Sequence, residues 1–90
     1  MEENEIIIGA KNPSVYLRVI RGKLSQNKEI VIKTRGKLIS TACFIVSVLS
    51  EEKFVKIKNV KILGSKFIGE DKKERLVPEI EINLMKENIK

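Results

Sequence analysis

Apolar residues in this chain come in short blocks separated by charged stretches. Ile6, Ile7 and Ile8 form an unbroken β-branched block closed by Gly9, the pattern of a short buried strand. Asn12-Pro13 then reads as a helix start, with Asn as N-cap and Pro in the first helical position. Leu17, Ile20 and Leu24 recur at helical spacing, with Tyr16 beside them, so a helix is predicted to about Ser25, weakened by Gly22 in its last turn. A second block, Ile30, Val31 and Ile32, predicts a strand over 29–34. Continuous apolar runs of this kind suit interior strands of a parallel or mixed sheet. After Gly36, the stripe Leu38, Ile39, Ala42, Ile45, Val46 and Leu49 predicts a helix over about 37–52. Val55 and Ile57, then Val60 and Ile62, alternate with lysines, but the phase slips by one at Lys58-Asn59. That slip predicts a bulge, or a strand that begins only at Asn59. Pro78, Ile80, Ile82 and Leu84 alternate over a final strand at about 76–86, with Pro78 at its start or on an edge. The segment between, GSKFIGEDKKER at 64–75, reads as a polar connection too long for a tight hairpin turn.

The predicted order is therefore β-α-β-α-β-β. Two short helices need a sheet to cover, so the expected fold class is α/β, a two-layer sandwich with a mixed four-stranded sheet, in a single domain over 1–90. A strand–helix–strand unit joins parallel neighbours with right-handed crossover, so the first two strands end on the same edge of the sheet. The far face of the second helix carries Ser40, Phe44, Ser47 and Val48 and no charge. A solvated helix face normally bears charges, so this one is expected to be covered.

Composition narrows the function. The chain has no histidine and a single cysteine, Cys43, so the commonest general base, internal disulfides and cysteine-based zinc sites are all missing. The carboxylates show no metal-ligand spacing, so neither catalysis nor a cofactor is expected. The longest uncharged run, 38–50, is 13 residues and too short to span a bilayer. The acidic start MEENE has no signal-peptide pattern, so a cytoplasmic location is expected.

Net charge is +6 and unevenly spread. From Lys11 to Lys37 there are eight cations against one acid, Glu29, and from Lys53 to Lys66 five cations and no acid. Such a surface attracts polyanions, of which nucleic acid is the usual one. The two strand–helix junctions, IIIGAKNPS and VIKTRGKLIS, each place a glycine and then a lysine at a helix start. Free N–H groups and the helix dipole favour phosphate there. Neither junction has the P-loop or dinucleotide-binding glycine spacing. Lys66, Lys72, Lys73 and Arg75 form a second basic cluster, set among Glu70, Asp71 and Glu74. With Tyr16 and Phe44 on helices, a sheet of stacking aromatics is not expected.

The stretch IIIGAKNPSVYL…EIVIKTRGKLISTA, followed by a strand and Gly64-Ser65, resembles the Alba family of archaeal chromatin proteins. The resemblance covers about residues 5–86 and is strongest at 29–42. It implies a β-α-β-α-β-β homodimer, similar in fold to the C-terminal domain of bacterial translation initiation factor three. It also implies binding of double-stranded DNA and RNA without sequence preference, in association with the chromosome. By the same resemblance the nucleic-acid-binding residues are Lys11, Asn12, Arg35, Gly36 and Lys37, with a basic β-hairpin arm matching 64–76 and carrying Lys66, Lys72, Lys73 and Arg75. Ala10 stands where the family usually has a second lysine, the position acetylated in some members, which leaves Lys11 as the candidate for acetylation. Phe44 and Val48 would lie in the dimer interface, and Phe54 would mediate dimer–dimer contact along DNA. The alternative implied by eukaryotic relatives is an RNA-binding subunit of a ribonucleoprotein of the RNase P type.

Overall fold

The computed structural model describes residues 4–87; the first three and last three residues, and with them the ends of the expected 1–90 domain, lie outside the described residues. The elements are β1 (Glu5–Ile7), α1 (Pro13–Leu24), β2 (Glu29–Arg35), a 3-10 turn (Gly36–Leu38) running into α2 (Ile39–Glu51), β3 (Val55–Ile68) and β4 (Glu74–Lys86). The sheet order is β1-β2-β4-β3. β1 and β2 are parallel, as the crossover rule requires, and the other pairs are antiparallel.

The core lies between the helices and one face of the sheet. Ile20 of α1 and Ile45 and Leu49 of α2 meet Ile8, Ile30, Ile32 and Leu84, all of them fully buried. The apolar block of β1 departs from the sequence reading. Ile6 and Ile8 are buried, but Ile7 between them is 60% exposed. β1 is an edge strand and helices cover only one side of the sheet, so every second residue faces out.

The phase slip in β3 is a bulge. Ile57 pairs with Leu84 and Asn59 with Asn83, which leaves Lys58 as the extra residue. With Lys58 set aside, Val55, Ile57, Val60 and Ile62 all fall on the helix side, opposite Lys86, Leu84, Ile82 and Ile80. The lysines between them fall on the other face.

The segment read as a polar connection is a correction. β3 continues to Ile68 and β4 begins at Glu74, so 64–75 is mostly the outer half of a long β-hairpin. The reversal needs few residues: the Lys72 N–H donates to the Gly69 carbonyl at 2.9 Å, and the Gly69 N–H to the Lys73 carbonyl at 3.0 Å. Lys72 takes φ 62°, the left-handed position that hairpins of this kind usually give to glycine. The outer pairs, Gly64↔Pro78 to Ile68↔Glu74, lie beyond the end of β2, since the last β2–β4 pair is Arg35↔Glu79. These five pairs form an arm of about 17 Å at 3.4 Å per residue. Pro78 is tolerated because β4 has a single neighbour from that point outward.

Candidate nucleic-acid interface

Both parallel strands end at one pole of the molecule, and the two junctions are tied together there. The Ile8 N–H donates to the Lys33 carbonyl at 2.9 Å, and the buried Thr34 hydroxyl donates to the Ile8 carbonyl at 3.1 Å. Lys11, Asn12, Arg35, Gly36 and Lys37 thus share this pole, and the arm springs from it at the Arg35↔Glu79 pair.

The junctions differ in what they leave open. At the first, the Gly9 N–H already donates to the Tyr16 hydroxyl at 2.8 Å. A Cβ on Gly9 would lie 3.1 Å from that oxygen, so the glycine makes room for Tyr16 and not for an anion. The Asn12 Oδ1 accepts from both the N–H and the hydroxyl of Ser14, each at 3.0 Å, and Pro13 has no N–H to offer. This helix start caps itself. Lys11 is exposed beside it, with no ion-pair partner among the described residues.

At the second junction no side chain caps the turn that leads into α2. Gly36 has φ 63°, and its hypothetical Cβ would sit 3.6 Å from Val77 at the base of the arm, so conformation and not space selects glycine. Arg35 and Lys37 flank it, both exposed and without ion-pair partners among the described residues. The Arg35 guanidinium lies over the Phe67 ring, 5.1 Å from its centroid, which draws the side chain from the root of the arm outward along it.

The arm is less basic than its cation count suggests. Lys66 Nζ is 3.4 Å from Glu74, and Arg75 is 3.1 Å from Asp71. Between 64 and 76 four cations face three carboxylates. Lys72 and Lys73, at the tip, have no ion-pair partner among the described residues. Lys33 belongs elsewhere. It lies on the open sheet face between Glu5 at 3.3 Å and Glu81 at 3.7 Å, and its pKa is raised above 10.5, chiefly by the hydrogen bond to Glu5.

Phe44 is 56% exposed on α2, with the half-buried Val48 beside it. On the same side of the sheet, edge strand β3 exposes Ile57, Val60 and Ile62, the last by 80%. Phe54 sits at the opposite pole from the junctions. Its ring lies 5.5 Å from the guanidinium of Arg21, which is itself held by Glu52 at 2.6 and 2.7 Å. Phe54 follows the C-terminal turn of α2, where Lys53 has φ 63° and the Phe54 N–H donates to the Leu49 carbonyl at 3.0 Å. Sequence reasoning missed Phe67, because it falls in the segment read as a loop. The only early signal was an aromatic residue two positions before a glycine. Among the described residues no helix is long and apolar enough to cross a membrane, and no cluster of three or more potential ligands could hold a metal.

No protein-family model matches the sequence. The DNA/RNA-binding proteins Alba of Pyrobaculum islandicum and Pyrobaculum aerophilum are each 35% identical to it over 89 residues, 91% of this chain and 94% of theirs. Among solved structures, Alba from Thermoplasma volcanium superposes with a TM-score of 0.80 at 29% identity, covering 92% of this chain and all of that one. ALBA1 from Trypanosoma brucei matches with a TM-score of 0.81 over 98% of this chain and 73% of its own, at 20% identity, a likeness that bears on fold alone. The mixed four-stranded sheet with two helices on one face is the fold of these proteins, and by the extent of the sequence match the chain belongs to the Alba family.

Proposed function

We propose that this protein binds double-stranded DNA and RNA without sequence preference, as a homodimer that coats or compacts the chromosome. The observation that carries the reading is the second junction: an uncapped helix start at a left-handed glycine, with Arg35 and Lys37 exposed and unpaired at the root of a protruding arm. Main-chain donors and fixed cations together suit phosphate, and they carry no base information. The names of the Pyrobaculum relatives as DNA/RNA-binding proteins support the same reading. Lys11, Lys72 and Lys73 add charge along the path, and acetylation of Lys11 would weaken it. Binding neutralises phosphates and releases counterions. With about six contacts the affinity for duplex DNA should fall roughly 10³-fold between 50 and 200 mM salt. A titration that is flat in salt overturns the proposal.

The dimer rests on the apolar surface shared by Phe44, Val48, Ile57, Val60 and Ile62, which a second copy would cover. Phe44→Asp and Ile62→Asp should both shift the sizing profile to monomer. Ile62 is outside the monomer core, so its variant stays folded and keeps the test clean. Phe54, at the far pole, would meet a neighbouring dimer along the nucleic acid.

A further inference from the structure

We propose that Phe67 is a stacking platform for an unpaired nucleobase, so that the arm holds single-stranded DNA or RNA in a way it does not hold a duplex. This rests on the nucleic-acid-binding reading above and adds a ligand to it. Three observations support it. Phe67 stands on the open face of β3, 41% exposed, with one side packed under the Arg35 guanidinium. Beside the ring lies a notch of about 460 Å³, lined by Phe67, Gly69, Glu70, Asp71, Arg75 and Val77. Arg35 does not line it, so the ring keeps a side that the guanidinium leaves uncovered. A volume in the range of small-ligand sites suits a planar base.

Charge decides the occupant. Glu70, Asp71 and Arg75 line the notch. Arg75 is already paired with Asp71 at 3.1 Å, which leaves the Glu70 carboxylate uncompensated, so the notch offers phosphate no free cation and the backbone stays outside it. A base is neutral and presents a π-face to the ring. Its flanking phosphates would fall to Arg35 and Lys37 on one side and to Lys72 and Lys73 at the tip on the other. Bases inside a duplex are stacked on one another and cannot enter. Stacking on an aromatic ring tolerates any base, because every base has a π-face.

The test uses the full chain, with single-stranded DNA and single-stranded RNA each carrying one 2-aminopurine, and duplex DNA of the same sequence, at one fixed low salt concentration. The expected result is quenching of the 2-aminopurine fluorescence on binding either single strand but not the duplex. Phe67→Leu should abolish the quenching and weaken single-strand binding about 10-fold, while duplex affinity falls only slightly. Phe67→Tyr, which keeps the ring, should restore both. A quench seen with one single strand alone identifies the sugar that the platform accepts. Quenching that survives Phe67→Leu overturns the inference. So do equal losses for single strand and duplex, which would make Phe67 only a prop for Arg35. If no strand binds even at low salt, the nucleic-acid reading itself fails and takes this one with it.

Discussion

Two junctions that look alike in the sequence do different work in the fold. GAKNPS and RGKLIS each join a strand to a helix through a glycine and a lysine. The first caps its own helix start: Tyr16 takes the Gly9 N–H, Asn12 takes that of Ser14, and Pro13 has none. The second has no side-chain cap and holds its glycine at φ 63° between two exposed cations. A glycine and a lysine at a helix start therefore do not define an anion site. What defines one is whether the fold has already used the N–H groups.

The largest effect should come from the open junction. Arg35→Ala with Lys37→Ala is expected to weaken duplex binding about 100-fold, two charge-assisted contacts being lost, and to lower the salt slope by about two. Lys11→Ala alone should cost much less, since it removes a single cation beside a helix start that Asn12 already caps. Equal losses in a salt-dependent titration would erase the asymmetry between the junctions. Gly36→Ala comes next. It forces a Cβ into the left-handed region at a cost of about 1–2 kcal/mol, which thermal or urea unfolding would detect; an unchanged midpoint would mean that the turn relaxes easily.

The arm offers a gain of affinity. Asp71→Asn with Glu74→Gln releases Arg75 and Lys66 from their carboxylates and should tighten duplex binding several-fold, with a steeper salt slope. No gain would place the arm away from phosphate. The smallest effect is expected at Lys33→Ala. Glu5 and Glu81 already neutralise this lysine on the open sheet face, so binding should barely change. Its pKa is raised by folding, so its contribution to stability is fully present below the ordinary lysine value of 10.5 and is lost as pH rises through the folded value. Unfolding midpoints of wild type and Lys33→Ala should therefore differ by a constant amount at neutral pH and converge only at strongly alkaline pH.

Much of the fold was legible because it is written in side-chain periodicity. The helical stripe through Ala42, Ile45 and Leu49, the strand blocks and the slip at Lys58 all record which residues face the core. The arm was not legible for the same reason. Beyond Arg35↔Glu79 no helix covers it, so its strands carry no buried face and no alternation, and main-chain pairing with a few exposed side-chain contacts holds it. That hid Phe67 in a supposed loop and made the cations at 66 and 75 look free. The resemblance to the Alba family pointed to a hairpin where the residue pattern did not.

The sequence by itself determined the order of elements, the parallel pairing of β1 and β2, the pole where their ends meet and the chemistry of the residues there. Those follow from local propensity, apolar spacing and the handedness of the crossover. The tertiary structure decided which of those residues are available. Tyr16 reaches Gly9 across seven positions, Glu5 and Glu81 reach Lys33 from neighbouring strands, and Phe67 reaches Arg35 from the far end of β3. Whether a donor or a cation is free depends on partners brought close in space, and no local pattern in the chain records them.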